Sequence, residues 1–170
     1  HSMSESYLFH ALEALQCIVE RRRGSETGVA AVTVMRGQKI WDAEKRGDWS
    51  CSLLKAALRA LDASTENLEE RIGHPETLFF LVEYRDGLKA TGAMIPGAVG
   101  PRPPKFSCQL AVACRVRKQT EPFACWLKTP GIPLRHFGEL LRGVQHMIHT
   151  RESAYAVERT LLTTGILDRI

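Results

Sequence analysis

His10 and Glu13 stand one helical turn apart in the stretch Glu5-Ser6-Tyr7-Leu8-Phe9-His10-Ala11-Leu12-Glu13-Ala14-Leu15. An imidazole ordinarily titrates near neutrality, so it can give or take the proton of a substrate hydroxyl. A carboxylate three residues on can orient the ring or touch the substrate itself. His10 is offset from Leu8 and Leu12, which puts it off the apolar stripe and lets it face a cleft. The simpler account is a histidine on a helix surface, with a solvated contact to Glu13.

Other chemistry-bearing residues form weaker patterns. His146 and His149 lie at i,i+3, with His136 earlier, but they lack the His-Glu-x-x-His arrangement of a helical zinc site. A solvated helix edge accounts for them, and no metal site is expected. Cys17 follows His10 by seven residues. Two helical turns hold such a pair about 10 Å apart, too far for an activated thiolate. Arg115, Arg117 and Lys118 could hold an anion or simply end a strand in water. There is no Gly-x-Ser-x-Gly elbow and no Gly-x-Gly-x-x-Gly turn.

The 170 residues, 44% hydrophobic and 25% charged, suffice for one domain with its own core. His1-Ser2 before Met3 read as an expression scar and start, leaving residues 4–170 as a single α+β domain. The net charge of +4 is spread among acidic residues, unlike the dense basic cluster of a nucleic-acid footprint. The five cysteines are odd in number and contain no Cys-x-x-Cys pair, so neither a disulfide framework nor a zinc site is expected. A reducing, cytoplasmic setting follows. No apolar run approaches the roughly 20 residues needed to span a bilayer, so no membrane partner is expected.

Residues 4–23 read as a helix with Leu8, Leu12, Leu15 and Val19 inside and Ser4 or Ser6 as N-cap. Arg21-Arg22-Arg23 and Gly24 suit its C-terminal end. Residues 28–35 read as a strand, and residues 39–63 as a helical region broken near Gly47 and recapped at Ser50, with Leu53, Leu54, Ala57, Leu58 and Leu61 inside. Asp86-Gly87 between two apolar runs signals a hairpin over 77–95. A Pro/Gly-rich loop over 99–105 precedes a strand over 106–116, in which Cys108 and Cys114 share a face, and another over 123–128. Two closing helices follow. Pro133 begins the first, with Leu134, Phe137, Leu141, Val144 and Ile148 as its inner stripe; Val157, Leu161 and Ile166 mark the second.

The expected architecture is a mostly antiparallel open sheet with helices packed on one face. The other face would then present Ala111, Ala113 and Trp126, with Arg115 and Lys128 at its margin. Small residues ringed by charge suit close contact with a second copy, so a homo-oligomer through this face is expected.

The opening segment resembles the start of the second domain in the glucose-fructose oxidoreductase / inositol dehydrogenase (Gfo/Idh/MocA) family. That domain opens on a helix bearing a histidine, commonly in an Asp-x-Gly-x-His pattern. His10 matches the histidine; Ser6 and Leu8 stand where the aspartate and glycine would be. Tyr155-Ala156-Val157-Glu158-Arg159-Thr160-Leu161-Leu162-Thr163-Thr164-Gly165-Ile166-Leu167-Asp168 is similar to the C-terminal helix of some members. The order of elements between these ends fits as well. The resemblance implies a C-terminal substrate-binding and oligomerisation domain that assembles through its open sheet, with His10 at the interdomain cleft. It implies NAD or NADP for the complete enzyme, and sugars, polyols or related hydroxy compounds as substrates. The family's glycine fingerprint and Glu-Lys-Pro segment are missing, so no cofactor is expected to bind this chain alone. A nucleotide-binding domain in the same or another chain would complete the enzyme. A stand-alone binding or assembly domain without hydride transfer is the competing reading. A basic nucleic-acid binder is a third and weaker one.

Overall fold

The computed structural model describes residues 2–99, 109–128 and 135–170. The protein is α+β. Helix α1 (Ser2–Val19) leads into strand β1 (Val29–Met35), helices α2 (Gln38–Lys45), α3 (Cys51–Ala60) and α4 (Leu68–Ile72), and strands β2 (Leu78–Tyr84) and β3 (Lys89–Met94). Strands β4 (Leu110–Cys114) and β5 (Phe123–Leu127) follow, then helices α5 (His136–Thr150) and α6 (Val157–Leu167).

The strands form two antiparallel sheets, a three-stranded one in the order β1-β2-β3 and the two-stranded β4-β5. Among the described residues the expected single open sheet with one bare face is therefore not found. The reason lies in β2. Leu78 to Val82 is an unbroken apolar run, and all five residues are buried. A strand of that kind has both faces covered. Leu78, Phe80, Val82 and Tyr84 pack with Leu8, Leu12 and Val19 of α1 and Ile166 of α6. Phe79 and Leu81 point the other way, into a second cluster with Ile40, Ala43, Leu58, Leu68 and Ile72 from α2, α3 and α4. Helices thus lie on both faces of the larger sheet.

Three local features tie the layers. The β2–β3 turn uses Asp86-Gly87 as expected, but in a three-residue loop. Gly87 N–H donates to Tyr84 O at 3.0 Å, Tyr84 N–H donates to Leu88 O at 2.9 Å, and Gly87 sits at φ +85°. Gly92 lies opposite Phe80 across the ladder, and a Cβ there would come within 2.0 Å of the Phe80 ring. The absent side chain is what lets that ring lie over β3. Trp49 donates its indole N–H to Ile40 O at 2.6 Å and meets the Phe79 ring edge-on at 5.0 Å, which fixes the turn between α2 and α3.

Several expected details shift. Positions 4 and 6, where the sequence suggested an N-cap, lie inside the range of α1. Ser50 takes the extended conformation of an N-cap, yet its hydroxyl pairs with the Ser52 hydroxyl at 2.8 Å instead of the helix backbone. The short helix α4 has no counterpart in the sequence reading. Residues 106–108, most of the expected loop over 99–105, Pro133 and Leu134 lie outside the described residues.

The largest departure is α5. Its apolar stripe was expected to face inward. Phe137, Leu140, Leu141, Val144, Met147 and Ile148 are instead all exposed. The stripe is real, but no layer of the described fold covers it. In α6, Ile166 is buried against α1, whereas Val157 and Leu161 face out.

Candidate functional site

Helix α1 positions the site. Its buried line (Leu8, Leu12, Gln16, Val19) rests on the three-stranded sheet. His10 lies on the opposite side of the same helix and is exposed, as its spacing predicts. The Phe9 ring meets the imidazole edge-on with centroids 5.8 Å apart, and Tyr7 and Phe9 are themselves exposed beside it. A histidine in this setting can hydrogen-bond a hydroxyl-bearing ligand, and aromatic rings beside it can pack on a ligand's apolar face.

Glu13, one turn on from His10, also reaches α6. Its carboxylate accepts the Thr163 hydroxyl at 2.7 Å and so joins α1 to α6. The Glu20 carboxylate reinforces the same pairing by accepting two hydrogen bonds from Arg159, one of them at 2.8 Å. Arg159 holds the Glu20 carboxyl below its usual range, chiefly through that hydrogen bonding. The Arg159 guanidinium also lies over the Tyr155 ring at 4.6 Å.

At the C-terminal end of α1, a buried polar network takes in residues that the sequence marked only as a helix end. Tyr84 donates its hydroxyl to Gln16 Oε1 at 3.1 Å, and the Gln16 amide donates to Glu26. Burial pushes the Tyr84 phenol well above its ordinary range. Arg22 donates to Asp86 at 2.8 Å, to Thr27 at 2.8 Å and to Val19 O at 2.7 Å, and stacks on Tyr84 at 4.9 Å. Each side chain in this network has protein partners, and together they fasten α1 to the hairpin.

The β4–β5 hairpin packs against α3. Ala111 faces Trp126 across the ladder, and Ala113 faces Ala124, so the three expected interface residues do share one face. All three are half-buried, and the Trp126 indole nitrogen is buried. Lys128 sits over the Trp126 ring at 4.3 Å, at the margin where it was expected. Arg115, just past the end of β4, reaches the Ser50 hydroxyl at 3.4 Å at the head of α3. This face is therefore partly covered within the chain.

Between α3 and the β4–β5 turn lies an open cleft of about 360 Å³ lined by Ser52, Arg59, Arg115, Gln119, Thr120 and Glu121, among others. Two guanidinium groups and two small hydroxyls could take an anion, although Glu121 at the rim opposes it. Arg59 was missed because it stands 56 positions before Arg115, with no local signal to join them. His136 is half-buried against the Phe137 ring at 4.6 Å, and His146 and His149 are exposed on α5. Among the described residues, no group of three or more His, Cys, Asp or Glu side chains is placed to hold a metal ion. No helix among them is long and apolar enough to cross a membrane.

The strand-to-helix turn at Gly37 carries one glycine and follows an antiparallel strand. A pyrophosphate site uses a glycine-rich turn after a parallel strand. No protein-family model, no curated protein and no solved structure matches the chain.

Proposed function

We propose that this chain is the substrate-binding and assembly domain of an NAD(P)-dependent oxidoreductase of the Gfo/Idh/MocA type, acting on sugars, polyols or related hydroxy compounds. The observation that carries the reading is the position of His10, on the outward side of α1 directly away from its buried line. A second domain closing over α1 would meet that imidazole. The resemblance of residues 5–15 and 155–168 to the family's second domain supplies the rest. In this reading His10 gives or takes the proton of the substrate hydroxyl, and the chain's other residues hold α1 rigid beneath it. The nicotinamide cofactor belongs to a nucleotide-binding domain in the same or another chain, a reading supported by the lack of a glycine fingerprint in this sequence. The hairpin face with Ala111, Ala113 and Trp126 is a contact between copies. Cytoplasmic location follows the free cysteines Cys17, Cys51, Cys114 and Cys125.

A stand-alone binding or assembly domain is the second reading, favoured by the uncovered apolar stripe of α5. One set of measurements separates the two. Calorimetric titration of the chain alone with NAD or NADP should show no binding at micromolar or tighter affinity. Joined to its nucleotide-binding domain, the protein should reduce the cofactor with a member of a sugar and polyol panel. His10→Ala should then lower turnover by roughly 10²–10⁴-fold while the circular dichroism spectrum stays the same. Unchanged turnover would leave His10 a surface residue. Lack of reduction across the panel would favour the assembly reading.

A further inference from the structure

The geometry of α5 points to a second docking surface, on which we propose that a second copy of this chain packs its own α5 antiparallel about a two-fold axis. Phe137, Leu140, Leu141, Val144, Met147 and Ile148 are 44–72% exposed. At 100° per residue they fall within about 120° of the helix circumference, one continuous stripe. Glu139, Arg142 and His146 fall on the opposite side.

Area and spacing together select the occupant. The exposed fractions leave on the order of 600 Å² of apolar surface per chain, at the top of what a soluble monomer ordinarily carries in one patch. Two such faces together remove about 1,200 Å², the lower end of what a stable specific interface buries. The stripe also reads alike in both directions. Positions 137, 141, 144 and 148 are symmetric about a point between 142 and 143. An antiparallel pair therefore sets Phe137 of one copy against Ile148 of the other, and Leu141 against Val144, in both halves. Met147 falls opposite Gly138, where no atom lies within 4 Å of a built Cβ. The repeat of 137, 141, 144 and 148 is the seven-residue pattern that packs helices at about 20°. Antiparallel alignment also places the opposite ends of the helix dipoles side by side. An isologous contact of this kind closes on itself and leaves no unmatched face.

The surface is distinct from the hairpin face, and its test reads molar mass rather than hydride transfer, so the two proposals fail separately. Light scattering of the chain in the upper micromolar range should report at least a dimer. Leu141→Arg should halve the molar mass with the circular dichroism spectrum retained, since this residue supports no core. Ala113→Arg should leave the α5 contact in place, so that variant should still be at least dimeric. Val144→Asp alone should also halve the molar mass, and mixing it with Leu141→Arg should restore the pair, because the two positions face each other only in the antiparallel arrangement. A monomer at high concentration, a molar mass indifferent to Leu141→Arg, or no recovery on mixing would overturn the proposal. So would a monomer that instead floats with anionic phospholipid vesicles through α5.

Discussion

Helices α1 and α5 carry apolar stripes of the same spacing and meet opposite fates. In α1, Leu8, Leu12 and Val19 are buried against β2, with Leu12 only 1% exposed. In α5, Leu141 is 66% and Ile148 72% exposed. Periodicity decides which side of a helix is apolar; it does not decide what lies against that side. Helix α1 finds a strand whose alternate residues match it, and a second helix, α6, tied on by Arg159 and Thr163. Both faces of the three-stranded sheet are already taken by α1 and α6 and by α2 to α4, so no face of that sheet is left for α5.

The largest effect that would sharpen this contrast comes from truncating the two stripes in turn. Leu12→Ala should cost about 2–5 kcal/mol, because it removes buried methyl groups and leaves a cavity against Phe80 and Val82. Leu141→Ala, measured dilute enough to keep chains apart, should change stability by no more than about 0.5 kcal/mol. Urea unfolding followed by circular dichroism measures both. Equal costs would mean that α5 is packed after all, and the comparison would break.

Much of the fold was legible in the sequence because its signals are local. The α1 stripe, the strand at Val29–Met35, the break between α2 and α3, and the Asp86-Gly87 hairpin depend on residues within a turn or two of one another. The covering of the sheet was not read, although a signal existed: Leu78 to Val82 lacks the alternation that a one-sided strand needs. The outward position of His10 followed from helical spacing. The use of Glu13 did not, because Thr163 lies 150 positions away and reaches it only through the packing of α6 on α1. The cleft that joins Arg59 to Arg115 likewise depends on how the hairpin lies against α3.

A middle-sized effect tests whether the arginine run ends a helix or fastens the layers. Arg21-Arg22-Arg23 looks uniform in sequence, yet the Arg22 side chain is 17% exposed and that of Arg21 is 68%. Arg22→Ala removes hydrogen bonds to Asp86 and Thr27 and the stacking on Tyr84, and should cost about 2–3 kcal/mol. Arg21→Ala and Arg23→Ala should each stay within about 0.5 kcal/mol. Three equal and small losses would return the whole run to a dipole effect.

The smallest effect concerns the link that makes α1 differ from α5, its pairing with α6. Arg159 and Glu20 keep side chains 10% and 24% exposed, so their contact is only lightly screened by solvent. Hydrogen bonding from Arg159 holds the folded Glu20 carboxyl below its usual value of 4.5. A carboxylate depressed on folding contributes stability that is fully present above the unfolded pKa and is lost as pH falls through the folded one. The contribution should therefore be level from neutrality down to about pH 5.5 and fall away below the ordinary carboxylate range. Its size should be about 1–2 kcal/mol, as for a hydrogen bond to a charged partner with residual solvent access. Glu20→Gln should lower the urea midpoint at neutral pH and flatten part of the acid loss, while Leu141→Ala should leave the acid profile as it was. An unaltered acid profile in Glu20→Gln would show that the α1–α6 seam is held by the apolar packing around Leu12 and Ile166 and by the Glu13–Thr163 hydrogen bond, with the ion pair contributing nothing measurable to the layer that α5 lacks.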